Sequence, residues 1–356
     1  MSRPLILVAG QVHFATKEVA ALANKFDIQA SRRPQPAGLR VLVFRVGTID
    51  SASRQAFFQD CAQGGRYSHA QAMYHNSFGS LGPCNAELVN ALPDSLKVIA
   101  HHGAGYDPID VKACSDKGIQ ISNTPDAVAA GTATVAMFLI ISALRQFWNA
   151  QLRAHEGKFK QGTSPAVQND PEEKVLGIVG LGGIGRALAK RALAFDMRII
   201  YHNRKQLDAQ LLAEFPPNSI TYCPSLDELL EQSDIVSLHV PLNPKTEKFF
   251  GKAQFDKMKK GSCLVNTARG GIVDEQAMLD ALASGQLGSA GLDVFPNEPE
   301  INPALLENDR VTVLPHMGTE TRESRLKMEN MVLDNLVEFF EKGKVKNVIP
   351  EQEGMF

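Results

Sequence analysis

The stretch VLGIVGLGGIGRALAKRALAF, residues 175–195, places an apolar strand, a glycine-rich turn and an amphipathic helix in one unbroken segment. The pattern G-L-G-G-I-G is weak evidence by itself, but a strand before it and a helix after it are the context of a phosphate-binding turn. In that context Gly180 permits the tight turn, Gly182 lets the backbone approach a pyrophosphate, and Gly185 lets the helix pack closely on the strand. We therefore expect a dinucleotide-binding unit, the alternative being a plain strand, turn and helix.

The helix after the turn has a second property that suits phosphates. Gly183 and Ile184 begin it, and the first N–H groups of a helix have no partner within the helix and lie at the positive end of its dipole. A pyrophosphate at this helix start would gain hydrogen bonds and favourable electrostatics together. Because the turn lies in the middle of the chain, the N-terminal half must build something else.

The composition of the chain is that of an ordinary globular protein. It has 356 residues, of which 44% are hydrophobic and 21% charged, enough for two domains with separate cores. The formal net charge of -2 provides no basic excess for nucleic acid, and no apolar run reaches the length of a membrane span. We expect neither nucleic acid nor a membrane as a partner.

Cysteine usage bears on metal binding and on the cellular compartment. The five cysteines are scattered, at Cys61, Cys84, Cys114, Cys223 and Cys263. No CxxC or Cys/His cluster is present, so we expect neither disulfides nor a metal site, but buried reduced thiols. The first ten residues lack the long apolar core and cleavage site of a secretion signal, and the expected location is the cytoplasm.

Strand and helix signals alternate from Val175 onward. Six short apolar segments are candidate strands: Val175–Val179, Arg198–Tyr201, Ile235–Val240, Ser262–Asn266, Ala290–Val294 and Val311–Leu314. Helical patterns lie between them; Ser225 with Glu228 forms a capping box for one helix, and Asp274 can cap another. Short apolar strands separated by helices predict a doubly wound parallel sheet.

The N-terminal half repeats this alternation more loosely. Its candidate strands are Leu5–Val8, Arg40–Phe44, Gln71–Tyr74, Val98–Ala100 and Ile119–Ile121, which predict a second, smaller α/β unit. Near the C-terminus, residues 320–344 form a helical pattern. The apolar segment Val345–Ile349 follows it and would be buried by packing back onto the N-terminal unit.

A long helical stretch, residues 126–160, is apolar over much of its length before it turns polar. A helix that is apolar on more than one face is either central in its own subunit or shared with a partner subunit. The second case predicts a homodimer, and the first a helix buried within one subunit. The polar stretch 161–173 is expected to be a loop that leads into the strand at Val175.

Side chains capable of catalysis follow three of the predicted strands. Arg269 and His316 come shortly after such a strand, and Asp293 follows the apolar residues Ala290–Leu292, with Glu298 five residues further on. Ligands of open α/β sheets bind at the carboxyl ends of the strands, so these groups are expected on the same edge as the phosphate turn. Taken singly, each is better explained as a structural residue; together on one edge they indicate a site.

The order and spacing of these residues resemble the D-isomer-specific 2-hydroxyacid dehydrogenase family. Besides GLGGIG, the blocks that carry the resemblance are HHGAGYDPID (101–110), SNTPDAVAAGTAT (122–134), HVPLNPKT (239–246), VNTARGGIVDE (265–275), GLDVFPNEP (291–299) and LPHMG (314–318). It is close from about residue 96 to residue 318 and looser in the N-terminal strands. Within the family, the chain resembles the glyoxylate and hydroxypyruvate reductases. The segment SLKVIAHHGAGYDPID is most similar to fungal-type members, some of which take aromatic acids such as mandelate.

The resemblance implies a domain arrangement. A Rossmann dinucleotide-binding domain of residues 126–320 would be inserted in a smaller flavodoxin-like, substrate-binding domain of residues 1–125 and 321–356.

The resemblance also implies roles for the catalytic candidates. Arg269 would bind the substrate carboxylate and polarise the carbonyl, and His316 as imidazolium would protonate the carbonyl oxygen. Glu298 would orient the imidazole and favour its charged form. Ala104 and Gly105 would offer backbone N–H groups to the substrate carboxylate.

The resemblance implies further residues around the cofactor. Asp293 would lie beside the nicotinamide. The remaining residues expected to bind the cofactor are Thr132, Val240, Pro241, Thr246, Thr267, Ala268 and Gly318.

The choice between NAD and NADP depends on the residues after the second strand of the dinucleotide unit. An acid that holds the ribose hydroxyls is expected about twenty residues after an NAD fingerprint. Asn203 stands there instead, followed by Arg204 and Lys205. An amide and two cations would attract a 2′-phosphate that an acid would repel, so we expect NADPH, with NAD as the second possibility. The alternative is that both cations are merely solvent-facing.

The expected activity is hydride transfer between NAD(P)H and a small 2-oxoacid or D-2-hydroxyacid, with reduction as the expected direction. Glyoxylate, hydroxypyruvate and bulkier aromatic or branched 2-oxoacids are candidate substrates; Phe78 lies either in the side-chain pocket or in the core. The alternative is a corepressor-like protein of the same fold that senses the dinucleotide, because such relatives can keep the whole catalytic set. Turnover of a 2-oxoacid panel would separate the two.

Overall fold

The computed structural model describes residues 5–9, 12–18, 27–29, 51–76 and 81–356. The predicted strand Arg40–Phe44 and the side chain of Phe78 lie outside these residues. The chain divides into two compact units: the first combines Met1–Val128 with Thr321–Phe356, and the second is Ala129–Glu320.

The first unit is built on a five-stranded sheet in which every strand pairing is parallel. Its strands are β1 (Leu5–Ala9), β2 (Asp27–Gln29), β3 (Ala70–His75), β4 (Val98–His101) and β5 (Gln120–Ser122). Their order is β2-β1-β3-β4-β5, the flavodoxin-like doubly wound order. The three-residue β2 was not predicted, because so short a segment carries no alternation to detect.

Helices cover both faces of this sheet. The described ones are Ser51–Cys61, Ala86–Ala91, Val111–Asp116 and Arg322–Lys342, with a 3₁₀ turn at Pro350–Gln352. Val332 and Leu336 of the last helix are buried in a core with Ile6 and Val8 of β1, because they lie one helical turn apart on the same helix face.

In the segment after this helix, Val345 and Ile349 are buried, as the sequence predicted, whereas Lys346 between them is exposed. Ile349 is fully buried and donates its N–H to the carbonyl of Ile121 at 3.2 Å. Val348 also forms an antiparallel bridge with Ser122, an edge contact that the sequence did not indicate.

The second unit contains a seven-stranded sheet, again parallel throughout. Its strands are β6 (Val175–Val179), β7 (Arg198–His202), β8 (Ile220–Tyr222), β9 (Ile235–Leu238), β10 (Ser262–Asn266), β11 (Leu287–Leu292) and β12 (Val311–Val313). Their order is β12-β11-β10-β9-β6-β7-β8, a Rossmann sheet with one strand more.

Four of the six strands predicted in this sheet had wrong limits, and one strand was missed. The segment Ile235–Val240 ends at Leu238, Val311–Leu314 ends at Val313, Arg198–Tyr201 extends to His202, and Ala290–Val294 is replaced by Leu287–Leu292. Val294 is buried in the loop after β11 and does not pair with a neighbouring strand. Its apolar side chain therefore extended the apolar pattern beyond the end of the strand. The missed strand β8 is at the sheet edge, half-buried, and therefore has a weak apolar pattern.

The helices of the second unit are Ala129–Arg145, Phe147–His155, Gly183–Leu193, Ala209–Leu212, Leu226–Gln232, Lys252–Lys257, Glu275–Ser284 and Pro303–Leu306. Both predicted N-caps are present: the side chain of Ser225 accepts from the Glu228 N–H at 3.2 Å, and that of Asp274 accepts from the Ala277 N–H at 3.2 Å. The bond from the Ser225 N–H back to the Glu228 side chain, which would complete the predicted capping box, is absent from this helix. The polar stretch 161–173 is a loop apart from a 3₁₀ turn at Pro165–Val167.

The long apolar stretch forms two helices, bent by 73° at Gln146, whose φ is 49°. Much of Ala129–Arg145 is buried in the second unit, and a side chain at Gly291 of β11 would approach Leu139 to 2.8 Å. Within the described ranges, no single helix is long and apolar enough to cross a membrane; only this bent pair, taken together, meets that test.

Candidate active site

The glycine turn follows β6 with the geometry that its sequence requires. Gly180 has a φ of 99°, and a Cβ there would lie 2.7 Å from the carbonyl oxygen of His239. A Cβ on Gly185 would lie 2.4 Å from the carbonyl oxygen of Gly180, so only glycine lets the helix approach the turn. A Cβ on Gly182 would meet nothing within 4 Å. Gly182 is therefore not needed for packing, and the space beside it fits a pyrophosphate.

The turn lies where the strand order of the second sheet reverses. β6 pairs with β7 on one side and with β9 on the other, and ligands of doubly wound sheets bind at such a reversal. The helix Gly183–Leu193 begins here, so the N–H groups of Gly183 and Ile184 belong to its first turn. These donors and the open glycine suit the diphosphate of a dinucleotide.

Asn203, where an NAD-binding protein would carry an acid, stabilises the turn. Its side-chain oxygen accepts the N–H of Leu181 at 2.7 Å. Arg204 and Lys205 follow it and are exposed. The structure thus gives Asn203 a structural contact that the sequence did not predict, and leaves two cations at the surface beside it.

The loop after β9 contains three residues assigned to the cofactor, Val240, Pro241 and Thr246. The Thr246 hydroxyl donates to the carbonyl of Pro241 at 2.6 Å and accepts from the N–H of Asn243 at 2.9 Å. These bonds close the loop on itself at the carboxyl end of β9, next to the glycine turn.

The loop after β10 contains Thr267 and Ala268. Asn266, the last residue of the strand, accepts the N–H of Ala268 at 3.0 Å through its side-chain oxygen. The hydroxyl oxygen of Thr267 is buried and has no hydrogen-bond partner in the described part of the chain. A buried polar atom without a partner is costly, and a polar group of a bound cofactor would supply one.

The Asp293 side chain binds the backbone of the loop after β12. Its two carboxylate oxygens accept the N–H groups of Met317 at 2.6 Å and Gly318 at 2.9 Å. Burial raises the pKa of Asp293 to about 6, against those two hydrogen bonds and the charge of His316, which lower it. Thr132 joins this group, since its hydroxyl donates to the carbonyl of Gly318 at 3.3 Å.

His316 and Glu298, eighteen residues apart in sequence, are in direct contact. Nδ1 of His316 lies 2.8 Å from Oε2 of Glu298, and the other carboxylate oxygen accepts the N–H of Phe295 at 2.9 Å. Burial raises the pKa of Glu298, but the hydrogen bonds from His316 and Phe295, together with the charges of His316 and Arg269, bring the pKa below its ordinary value. The carboxyl is therefore an anion beside the imidazole, and Nε2 is the ring nitrogen at which His316 can give or take a proton.

Arg269 is partly buried between β10 and the following 3₁₀ turn. Its guanidinium donates to the carbonyl of Ala268 at 2.8 Å, and its own carbonyl accepts from the Asn266 side chain at 2.8 Å. A Cβ on the next residue, Gly270, would overlap the backbone of Phe295 at 2.0 Å, so this glycine keeps the two loops together.

In the first unit, the loop Gly103–Gly105 turns its carbonyl groups inward. The carbonyl of Gly103 accepts the N–H of Thr124 at 2.9 Å, that of Ala104 accepts the Asn123 side chain at 2.7 Å, and that of Gly105 contacts Nε2 of His101 at 3.0 Å. In a trans peptide the next N–H points the opposite way, so the N–H groups of Ala104 and Gly105 are directed away from these partners. Backbone N–H groups directed away from such partners are donors that an anion can accept.

Two contributors to these loops were not predicted. Asn123 lies in the quoted block SNTPD, where its position after β5 was the available signal. His239 follows β9, and Ser237 lies 2.8 Å from its Nε2. Burial lowers the pKa of His239 to about 4, so it is a neutral neighbour of the glycine turn.

Within the described ranges, no group of three or more His, Cys, Asp or Glu side chains could hold a metal ion. All five cysteines are buried and unbonded, as predicted.

The sheet order, the glycine turn and the His316–Glu298 pair are those of a dinucleotide-dependent oxidoreductase. The sequence profile described as "D-isomer specific 2-hydroxyacid dehydrogenase, NAD binding domain" matches residues 137–318. The chain belongs to this family, and it is an NAD(P)-dependent 2-hydroxyacid dehydrogenase.

Similar proteins span the whole chain. A 4-methyl-2-oxopentanoate reductase A of Aspergillus oryzae is 46% identical over 355 residues, covering 99% of this chain and 100% of the relative. The crystal structure of a glyoxylate reductase from Paecilomyes thermophila superposes with a TM-score of 0.86 at 42% identity, covering 99% and 100% of the two chains. That of the holo form of Rhodotorula graminis D-mandelate dehydrogenase gives 0.84 at 30% identity, covering 98% of each. The predicted family and fold class are confirmed.

Proposed function

We propose that the protein works as a 2-oxoacid reductase in which His316 is the proton donor. The observation that carries this is the 2.8 Å contact between Nδ1 of His316 and the carboxylate of Glu298. A nicotinamide bound in the reduced state would supply the hydride. His316 would pass the proton on its Nε2 to the carbonyl oxygen, and the Glu298 anion would stabilise the imidazolium and hold its ring. In the oxidative direction the same nitrogen would take the hydroxyl proton.

The substrate carboxylate requires its own partners. Arg269 can bind it with the two parallel donors of a guanidinium, and the same cation would polarise the neighbouring carbonyl. The outward N–H groups of Ala104 and Gly105 are further donors of the right kind. We assign these residues to the substrate, and the loops at the ends of β6, β9 and β10 to the cofactor.

A screen of NADPH oxidation over 2-oxoacids of graded side-chain size tests the function. The panel is glyoxylate, hydroxypyruvate, 4-methyl-2-oxopentanoate and phenylglyoxylate, which spans the substrates named for the three similar proteins. We expect turnover of at least one, forming the D-2-hydroxyacid. Absence of turnover across the panel with either cofactor, in protein that binds dinucleotide, would contradict the proposal. It would favour the dinucleotide-sensing alternative, for which the named relatives, all reductases or dehydrogenases, provide no support.

We propose NADPH as the preferred cofactor, on the strength of the exposed Arg204 and Lys205 after Asn203. Neutralising both cations, Arg204→Ala with Lys205→Ala, is expected to lower kcat/KM for NADPH about tenfold or more while leaving that for NADH nearly unchanged, because only NADPH carries the 2′-phosphate. Arg198→Ala is the control, an exposed cation at the opposite end of β7. A wild-type preference for NADH would overturn the assignment.

We propose a homodimer that uses the exposed aromatic side chains of the two bent helices. Phe138, Phe147 and Trp148 are 49%, 42% and 39% exposed. Exposed aromatic groups of this size are enriched at protein interfaces. Light scattering should give twice the mass of one chain, and the Phe138→Glu variant should have a mass closer to that of a single chain. Phe195→Glu, at a separate exposed phenylalanine, should not; a monomeric wild type would contradict the dimer.

We propose that the protein acts in the cytoplasm. Its five buried, unbonded cysteines suit a reducing compartment. Fractionation of cells that express the full chain tests this, and recovery with secreted material would contradict it.

A further inference from the structure

Two histidines of the first unit, His75 at the end of β3 and His101 at the end of β4, are register partners across neighbouring strands. Each is 1% exposed, and their ring centroids are 5.1 Å apart. Nδ1 of His75 lies 2.9 Å from Nδ1 of His101. The proton transfer proposed above uses neither ring. Their contacts lead instead to the loop Gly103–Gly105.

The contacts determine which ring nitrogens carry hydrogen. Nε2 of His101 lies 3.0 Å from the carbonyl oxygen of Gly105, and because a carbonyl only accepts, this Nε2 must be the donor. In a neutral ring the Nδ1 of His101 is then an acceptor, so the bond between the two rings requires that His75 donates from its Nδ1. The hydrogen bonds thus run in one direction, from His75 to His101 to Gly105.

This direction of the hydrogen bonds holds while both rings are neutral. Burial lowers the pKa of His75 to about 3, and the neighbouring His101 lowers it further. His75 is therefore neutral over the working pH range. The Nε2 hydrogen of His101, on which the bond to Gly105 depends, is present in this tautomer and in the protonated ring alike.

The imidazole of His101 also supports the loop sterically. A Cβ on Gly103 would lie 2.6 Å from Nε2 of His101, so the glycine backbone rests directly on the ring. Of the three inward carbonyls of the loop, His101 holds the last, and Thr124 and Asn123 hold the other two. Loss of the last bond would release the C-terminal end of the loop, where Gly105 has no Cβ to restrict its backbone.

We propose that His75 and His101 are positioning residues for the substrate: His75 fixes the tautomer with which His101 holds the Gly105 carbonyl, and this fixes the C-terminal end of the loop whose Ala104 and Gly105 N–H groups are assigned to the carboxylate. The inference rests on the proposed function, since it assigns the loop to the 2-oxoacid carboxylate. It predicts that the pair affects binding of the acid and not of the dinucleotide.

Substitutions at His75 separate positioning from packing. His75→Leu keeps an apolar group of similar size but removes the donor, and His75→Asn places an amide N–H near the former Nδ1. We expect His75→Leu to raise KM for the 2-oxoacid about tenfold with little change in kcat or in NADPH affinity, the effect of one misplaced charge-binding contact. His75→Asn should return KM to within about threefold of wild type. If the site only needed filling, leucine would do as well as asparagine.

The control and a second readout keep the test independent of turnover. His69→Leu changes an exposed histidine next to the start of β3 and should leave KM unchanged. Binding of oxamate, an unreactive isostere of a 2-oxoacid, measured by calorimetry with NADP present, should weaken with His75→Leu as KM rises. Nitrogen NMR of the histidine-labelled full chain should show His101 with its hydrogen on Nε2 and His75 with its hydrogen on Nδ1.

The outcomes are distinguishable. Equal KM and oxamate affinity in wild type and His75→Leu would overturn the inference, as would a His101 hydrogen on Nδ1. A wild type that binds oxamate but reduces no 2-oxoacid would refute the proposed function. The ratio of oxamate affinities between wild type and His75→Leu would still decide the inference.

Discussion

His316 has an unfavourable backbone conformation that the hydrogen bonds around it stabilise. Its φ of 56° is in the left-handed region, which costs a side-chain-bearing residue on the order of 1 kcal/mol. The Asp293 carbonyl accepts its N–H at 2.9 Å, and the Glu298 carboxylate accepts from its ring at 2.8 Å. Backbone and side chain are both fixed before any ligand arrives, so little ordering remains for the proton-transfer step.

Removing the proton donor or the guanidinium tests these assignments directly. We expect His316→Ala and Arg269→Ala each to lower kcat for 2-oxoacid reduction by about 10²–10⁴, because general acid catalysis and carboxylate orientation are of this size. Dinucleotide affinity, read by fluorescence titration, should stay within about threefold, since neither residue belongs to the phosphate turn. Near-full activity in either variant would refute its role.

Replacing Glu298 by glutamine separates charge from orientation. The amide oxygen of Glu298→Gln can still accept from Nδ1 of His316 at a similar distance, but the anion is gone. We expect kcat to fall about 10–100-fold, less than in Glu298→Ala, which also loses the orientation. The pKa of Glu298 lies below its ordinary value, so in wild type the anion persists as the pH falls toward 4.5. Equal activity of the glutamine and alanine variants would show that orientation contributes nothing.

Asp293 should leave a signature in the pH dependence of stability. Its pKa is about 6 in the folded protein and 3.8 in the reference state, so between these values the folded state binds more protons than the unfolded one. Stability from this group is therefore present at low pH and is lost as the pH rises toward and through 6. Asp293→Asn has no such loss, and its free energy of unfolding relative to wild type should improve by about 1 kcal/mol between pH 5 and 7.5. Urea unfolding at the two pH values measures this; an unchanged difference would contradict it.

At the scale of elements, the strand–turn–helix of Val175–Phe195 uses its glycines for two different purposes. Gly185 brings the helix against the turn, where a Cβ would overlap backbone, whereas Gly182 leaves open space. The first glycine is a requirement of the fold, whereas the second is not, and we assign it to the pyrophosphate.

A matched pair of alanine substitutions distinguishes these purposes. Gly182→Ala should keep the melting temperature within a few degrees but weaken dinucleotide binding about tenfold or more, because its methyl group fills the space of the pyrophosphate. Gly185→Ala should instead destabilise the fold by about 2 kcal/mol or more, since the Gly180 carbonyl at 2.4 Å has to move. Calorimetry and cofactor titration of both variants give the comparison. A Gly182→Ala variant with unchanged affinity would remove the pyrophosphate from this position.

At the scale of the whole molecule, the two ends of the chain meet in the first unit. Glu329, on the helix Arg322–Lys342, is 1% exposed, and its carboxylate accepts the N–H groups of His13, Phe14 and Ala15 at 2.7–2.8 Å. This one side chain satisfies three backbone donors of the loop after β1. The C-terminal helix is therefore part of the core of the N-terminal unit.

Loss of this carboxylate should destabilise the first unit. We expect Glu329→Ala to lower the free energy of unfolding by about 3 kcal/mol or more, because three N–H groups lose a charged acceptor in a buried place. Glu338→Ala is the control: Glu338 pairs with Lys342 one helical turn away at the surface, a contact worth a few tenths of a kcal/mol. Urea unfolding and limited proteolysis report the difference, and equal stability of the two variants would contradict the role of Glu329.

The Rossmann sheet could be predicted because its signals are local. The apolar segment before Gly180 and the helical face after it are adjacent in the chain, and their meaning depends only on steric rules that hold in any fold. Strand limits were less certain, since burial makes loop residues such as Val294 as apolar as strand residues. The edge strands β2 and β8 were missed because short strands carry little pattern.

The sequence by itself determined the fold class, the phosphate turn and the family, since each depends on residues that are neighbours in the chain or recur in a fixed order. The resemblance also implied that Glu298 orients His316, and the tertiary structure supplied the distance of that contact. Only the tertiary structure decided that Asn203 supports the glycine turn and that His75 and His101 share a hydrogen bond. Those contacts join residues 18, 22 and 26 positions apart. Their distances depend on how strands are ordered in a sheet, which no local pattern encodes.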